Sequence, residues 1–336
     1  MIETESRNSL KMIEEKDYDI VAFGEILIDF TSQGYSEEGQ MLYARNPGGA
    51  PANVAVAAGK LGATTAFMGK AGRDMHGIFL RDTLKKEKVE TGGLVLDDQY
   101  FTTLAFVDVN EEGERTFSFA RKPGADTRIR QEELNPELLD HTRIFHVGSL
   151  SLTDEPARET TFYAVKRAKA QGSMISYDPN YRASLWKNEA VAMQQMRSLI
   201  PYVDLMKISD EEVELLTDCK EIEKAAESLF NQGVKVIVVT LGGEGAYIYN
   251  REGGKKVSGF EVKHVEDTNG AGDSFWGGFL VQLCHAEKDL TEFTLKDLEG
   301  FARFGNAVAS LCVEKKGAIP AMPELPEVEE RLGMMK

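Results

Sequence analysis

The sequence is poor in cysteine, in positive charge, in long apolar runs and in the usual nucleotide-binding glycine motifs. Each shortage removes a class of function. The three cysteines, Cys219, Cys284 and Cys312, are widely spaced, form no CxxC pair and make no ligand cluster with the five histidines. That excludes a disulfide framework or a zinc site and points to a reduced, cytoplasmic setting. Lys and Arg number 39 against 55 Asp and Glu, a formal net charge of −16. A nucleic-acid partner needs clustered cations, so the acidic excess reads as a solvated surface. Nowhere do 18 uncharged apolar residues run together, which excludes a membrane-spanning helix. The stretch "MIETESRNSLKMIEEKDYD" alternates charge and has no apolar h-region, so it carries no signal-peptide pattern, and residues 1–18 read as a flexible leader. The Gly-Lys pairs at Gly59, Gly69 and Gly254 lack the spacing and the following Ser or Thr of a P-loop, and "FGEILIDF" stands where a GxGxxG would follow the first strand. Both common glycine routes to a nucleotide are absent.

The chain does contain β-rich apolar runs, each followed by a helical pattern. They are "DIVAFGE" (19–25), "TTAFMGK" (64–70), "RIFHVGS" (143–149), "SMISYDP" (173–179), "VDLMKIS" (203–209) and "VKVIVVTLGG" (234–243). From Arg143 onward they recur roughly every 30 residues, the length of a βα unit. Residues 210–233 carry helical periodicity that stops at Gly233. The pattern predicts an α/β fold with a mostly parallel sheet covered on both faces, its site beyond the carboxyl ends of the strands. Two regions depart from it. Residues 102–121 read as a hairpin around a polar turn containing Gly113, and "LIDFTSQG" with "QMLYAR" reads as a second strand pair. Together the segments 26–46 and 101–121 predict a small antiparallel sheet, serving as a lid, a dimer surface or a plain decoration. The tail "IPAMPELPEVEERLG" leads to a short final helix.

Two glycine-rich stretches carry the chemistry. In "EDTNGAGDSFWGGF" (266–279), Asp273 stands in the first turn of a helix whose expected buried face is Phe275, Phe279, Leu280 and Leu283. Gly270, Ala271 and Gly272 leave backbone N–H groups open at that helix N-terminus, an arrangement suited to phosphate. Two readings stand side by side: a plain Asp N-cap, or a carboxylate that takes a proton from a hydroxyl attacking the phosphate. In "NPGGAPANVAVAAGKLG" (46–62), Gly48 and Gly49 precede a small-residue helix with Pro51 at its start and Asn53 in its first turn. That helix is either merely tightly packed or placed to hydrogen-bond a hydroxylated ligand.

Together these stretches, "GGAPANVAVAAGKLGATTAFMGKAGRD" and "DTNGAGDSFWGGF", resemble the two signature motifs of the PfkB, or ribokinase-like, carbohydrate kinases. The resemblance spans Asp19 to Pro323. "VAFGEILIDF", "ISYDPNYRASLW" and "KISDEEVELLT" are similar to the fructokinase branch. The resemblance implies a three-layer α/β/α sandwich over residues 19–330 with a small β-sheet lid. It also implies ATP-dependent phosphorylation of a sugar hydroxyl, with fructose as the expected substrate. By the same resemblance Asp273 is the base, and Gly270, Ala271 and Gly272 form the anion hole. Asp29, Gly48, Gly49 and Asn53 hold sugar hydroxyls, and Arg182 approaches the substrate or phosphate end. Thr240, Gly242 and Gly245 belong to the ATP-side loop, and Asn306 flanks adenine. The family's Asn-x-x-Glu magnesium motif is altered here, with Ser209 ahead of Glu212. Glu212 is therefore expected to reach Mg²⁺ through water, and Asp267 to flank a K⁺ site. The implied partners are sugar, ATP and a second copy docked through the lid. A 2-keto-3-deoxygluconate kinase, using Arg121 and Arg182 for the substrate carboxylate, and a non-catalytic sugar sensor are the alternatives.

Overall fold

Apolar runs of strand length, each closed by glycine or a polar segment, alternate with helices and build the core. The computed structural model describes residues 16–109, 115–286 and 288–333. In the first half, the strands are β1 (Tyr18–Gly24), β2 (Leu27–Tyr35), β3 (Met41–Gly48), β4 (Thr65–Gly72), β5 (Glu90–Asp97), β6 (Leu104–Val109), β7 (Arg115–Ala120) and β8 (Thr142–Gly148). The helices there are α1 (Ala50–Lys60), α2 (Met75–Lys86) and α3 (Pro136–Asp140). In the second half, β9 (Met174–Asp178), β10 (Leu205–Ser209), β11 (Val236–Thr240), β12 (Gly245–Asn250) and β13 (Gly253–Ser258) alternate with α4 (Ala157–Ala170), α5 (Glu189–Leu199), α6 (Val213–Thr217) and α7 (Ile222–Asn231). Three helices close the chain: α8 (Ala271–His285), α9 (Leu295–Cys312) and α10 (Leu325–Gly333).

The main sheet has nine strands in the order β13-β12-β11-β10-β9-β8-β1-β4-β5. Pairing is parallel from β11 to β5. An antiparallel hairpin, β12–β13, closes one edge. The pleat of β1 shows why both faces are covered. Val21 and Phe23 pack into the core made with α3 to α7. Ile20 packs with α1, α8 and α9, and Ala22 with α1 and α2. The result is the expected three-layer α/β/α sandwich.

A second, smaller sheet, β3-β2-β6-β7, forms from the segments where one is expected. Its outer pairs are antiparallel, but β2 and β6 run parallel. The sheet is therefore mixed rather than wholly antiparallel, because the two hairpins leave the main domain at different points and meet side by side. The polar turn at 110–114 lies outside the described residues.

Three other expectations change. The stretch 210–233 is not one helix: a short 3₁₀ turn at Asp210–Glu212 leads into α6, and Asp218 in a left-handed conformation (φ 58°) separates α6 from α7. The expected stop at Gly233 holds, with φ 111°. Residues 16–18 of the expected leader belong to the folded part, since β1 begins at Tyr18 and Lys16 Nζ donates to the Asp140 and Gln171 carbonyls at 2.6 and 2.9 Å. Residues 1–15 lie outside the described residues. Finally, α8 is buried on every side from Asp273 to Val281, not along one face. It is wedged between α1 and α9, and glycines permit the close approach: a Cβ on Gly277 would stand 2.8 Å from Ala57 Cβ, and one on Gly278 2.9 Å from Val308 Cγ2. Among the described residues no helix is long and apolar enough to cross a membrane.

Candidate active site

Parallel strands deliver their following residues to one edge of the sheet, and the lid strand β2 and the N-termini of α1 and α8 converge there. The resulting cleft encloses about 450 Å³, its mouth included. Asp29 from β2, Gly49 and Asn53 from α1 and its approach, Arg182 from the segment after β9, and Asp273 from α8 all line it. Five residues far apart in sequence and singled out there thus meet around one space. Gly48 borders it, since a Cβ at Gly48 would collide with the Asp29 carboxylate.

The N-terminus of α8 removes one of the two readings of Asp273, the plain cap. The N-cap is Gly270, in a left-handed conformation (φ 76°), and no side chain caps the helix. Asp273 is therefore not the cap. A Cβ on Gly270 would also stand 2.8 Å from Ala318 Cβ, so glycine is required there by conformation and by space. The Ala271 N–H donates to the Thr268 carbonyl at 3.3 Å, and no side chain caps the other first-turn N–H groups, an arrangement that suits an anion.

Asp273 is buried, and Asn53 Nδ2 donates to its Oδ2 at 2.8 Å. Burial raises its pKa to about 6, and the nearby Asp178 charge adds to the rise, while the Asn53 hydrogen bond, Lys207 and Arg182 oppose it. A carboxyl with that value is ionised at neutral pH yet able to accept a proton. Asn53 Oδ1 is buried without a partner, leaving an acceptor for a ligand hydroxyl. Burial likewise lifts Asp29 to about 6, opposed by Asn269, whose Nδ2 donates at 3.4 Å, and by Arg182.

Beneath the α8 N-terminus lies a buried ion pair that sequence reasoning missed. Lys207 Nζ on β10 stands 2.6 Å from Asp178 Oδ2 at the end of β9. A Cβ on Gly272 would be 3.3 Å from that ammonium, so Lys207 brings positive charge to the same turn of backbone. Asp178 Oδ1 has no partner. Glu25, Asn180 and Phe119 in the cleft wall were missed as well. The available signal was position: Glu25, Asp178 and Asn180 follow β1 and β9 on the sheet edge where sites gather.

The remaining expected residues lie outside the cleft lining. Thr240 ends β11, and Gly242 and Gly245 shape the next turn at φ 55° and 102°. Asn306 on α9 donates to the Val257 and Ser258 carbonyls at 3.4 and 3.1 Å, which ties α9 to β13. Glu212 is buried, and its two oxygens accept the Tyr181 and Ser209 N–H groups at 2.6 and 2.8 Å. Asp267 accepts from the Asn269 and Gly317 N–H groups at 2.8 and 3.0 Å. Among the described residues no three His, Cys, Asp or Glu side chains converge as a metal cage.

Arg121 is the clear correction. It does not line the cleft, and its guanidinium is spent on buried Asp126 (2.6 and 2.8 Å), Thr153 Oγ1 and the Leu150 carbonyl. It anchors the root of the lid and is unavailable to a substrate carboxylate.

Comparison with known proteins identifies the family. The model of the pfkB family carbohydrate kinases matches residues 17–325. The chain is 42% identical over 315 residues to fructokinase-2 of Oryza sativa subsp. japonica, covering 93% of each protein. Its fold is similar to the fructokinase of Xylella fastidiosa with bound ATP, with a TM-score of 0.88, 35% identity, and coverage of 94% of this chain and 98% of that one. It is similar also to a double-mutant fructokinase of Vibrio cholerae O395 in the fructose-, ADP- and potassium-bound form, with a TM-score of 0.84, 31% identity, and coverage of 95% and 99%. On its motifs, its fold and the convergence of Asp273, Asn53 and the α8 N-terminus, the chain belongs to the pfkB family of carbohydrate kinases, and it is a sugar kinase.

Proposed function

We propose that this kinase transfers the γ-phosphoryl group of ATP to the 6-hydroxyl of D-fructose. The observation that carries the reading is the buried Asp273 carboxylate, bonded to Asn53 and facing the cleft from the first turn of an uncapped helix. Asp273 takes the hydroxyl proton as the sugar oxygen forms its bond to phosphorus and the bond from phosphorus to the departing ADP oxygen breaks. The Gly270, Ala271 and Gly272 backbone, with Lys207 behind it, neutralises the charge that spreads over the transferring oxygens. Asp29, Gly48, Gly49, Asn53 and Arg182 orient the sugar. Thr240, Gly242, Gly245 and Asn306 form the nucleotide side.

The donor set fits Mg²⁺ held chiefly by water and phosphate oxygens, since both Glu212 oxygens already accept backbone N–H groups and leave it an outer-sphere role. When bound, Mg²⁺ supplies charge neutralisation at the phosphates. Asp267 is taken to flank a K⁺ site, a reading supported by the potassium-bound relative. Residues 19–330 act as one kinase unit with lid segments at 26–46 and 101–121. Exposed Tyr35, Met41, Leu42 and Tyr43 on the lid strands support pairing with a second copy, and free cysteines support a cytoplasmic setting.

An ADP-release assay with Mg-ATP tests the reading. D-Fructose is expected to be used with a kcat/KM at least tenfold above that for 2-keto-3-deoxygluconate, a margin of about 1.4 kcal/mol in transition-state binding. The opposite order would replace fructose with the keto-acid, and no turnover with any sugar would leave only a sensor.

A further inference from the structure

Glu25 follows Gly24 directly at the carboxyl end of β1 and lines the cleft, yet only 3% of it is exposed. One oxygen is committed: the Ala50 N–H at the start of α1 donates to Oε1 at 2.9 Å. The other, Oε2, is buried with no partner. The surroundings do not supply one. Arg121, whose charge acts on Glu25, gives its N–H groups to Asp126, Thr153 and Leu150. Gly148 stands on that side and brings no side chain to Oε2; a Cβ there would lie 3.9 Å from it, at van der Waals contact. Burial pushes the Glu25 carboxyl up to about 7, as expected of an acceptor deprived of water. Buried polar atoms are seldom left unpaired in a folded protein, and one in a cleft wall marks a place where a ligand completes the bond.

We infer that Glu25 determines specificity in the sugar cleft: its Oε2 accepts a hydrogen bond from a second hydroxyl of a neutral sugar, distant from the hydroxyl that is phosphorylated. The inference rests on the sugar-kinase reading of the same cleft. It carries a consequence for selection. Glu25, Asp29 and Asp273 set three carboxyl groups in the wall against Arg182, the one cation among the described lining residues. A sugar acid entering that wall meets like charge beside an unsatisfied acceptor, whereas a polyhydroxylated neutral sugar supplies the missing donor.

Glu25→Gln isolates the effect, because the amide oxygen still accepts from Ala50 while the NH₂ group that replaces Oε2 accepts nothing. Direct calorimetric binding of D-fructose without nucleotide and steady-state kinetics with Mg-ATP are measured on both proteins. The expected result is a ten- to hundredfold weaker Kd and KM for D-fructose, kcat within about threefold and a melting temperature that does not fall at neutral pH, because a desolvated carboxylate is removed. The kcat/KM preference for D-fructose over 2-keto-3-deoxygluconate falls at least tenfold. One deoxyfructose, lacking the hydroxyl that Glu25 contacts, loses its binding penalty in the variant. Glu25→Asp, which keeps the charge but withdraws it by one methylene, is expected to weaken fructose binding while still excluding the keto-acid. Wild-type turnover of fructose with an unchanged KM in E25Q overturns the inference and leaves the kinase reading intact. Sensitive sugar binding in a protein that never turns over supports the inference and overturns the kinase reading.

Discussion

Two clefts open at opposite ends of the nine-stranded sheet, and the larger one is not the candidate site. At the amino ends of β1, β4 and β5, a space of about 1420 Å³ is bordered by Asp17, Glu90, Arg81 and Lys85 of α2, and Lys88 just beyond that helix. At the carboxyl ends the cleft is about 450 Å³. Lys85, Lys88, Asp17 and Glu90 are exposed, so water and salt satisfy and screen them. Glu25, Asp29, Asn53 and Asp273 are buried, and burial shifts all three of those carboxyl groups upward. In a parallel sheet the carboxyl edge also receives helix N-termini, which attract anions, while the amino edge receives helix C-termini. Desolvated groups with unmet hydrogen bonds, rather than volume, distinguish a place built for chemistry.

The comparison breaks first at Asp273. Asp273→Ala is expected to lower kcat by 10² to 10⁴, measured by ADP release at saturating sugar, with sugar binding retained. Near-normal turnover would remove the distinction between the clefts. Lys207→Met comes next: it strands buried Asp178 and is expected to cost about 3 kcal/mol of stability by denaturant unfolding, with recovery in the Asp178→Asn, Lys207→Met double variant. An unchanged midpoint would show that the pair is not desolvated.

The raised carboxyl at Asp273 sharpens the contrast through pH. Because the base form is required, kcat/KM is expected to fall about tenfold per unit as pH drops below about 6. Stability moves the other way. The folded value of about 6 exceeds the ordinary 3.8, so this group's contribution is full below about 4 and is lost as pH rises through 6. Asp273→Asn therefore loses activity yet gains on the order of 2 kcal/mol of stability at pH 7, read from thermal or denaturant melts at pH 4 and 7. A gain at pH 4 alone would contradict the sign. The smallest effect is expected in the large cleft, where Lys85→Gln with Lys88→Gln leaves kcat and KM within about twofold.

Much of the fold was legible because parallel βα units write continuous apolar runs at regular intervals, as at 173–179, 203–209 and 234–243. The two glycine-rich helix starts were legible for a related reason: Gly270 must adopt φ 76°, and only a few residue types tolerate that. The break at Asp218 was not legible, because one left-handed residue interrupts an otherwise helical pattern. Nor was the parallel β2–β6 contact, which joins segments with no shared local signal. Lys207 and Asp178 read as an ordinary strand lysine and a strand-end aspartate; only pairing across 29 residues makes them a buried ion pair beneath the N-terminus of α8.

The amino-acid order alone determined the layered α/β architecture, the helix opening at Gly270 and the presence of an acid in its first turn, since periodicity and backbone freedom are local properties. Tertiary structure decided what those residues do. It brought Asn53 to Asp273 across 220 positions, committed Arg121 to Asp126 and left one Glu25 oxygen waiting in the cleft wall. Hydrogen-bond partners and loss of water are set by neighbours in space, and those neighbours are chosen only when the whole sheet closes.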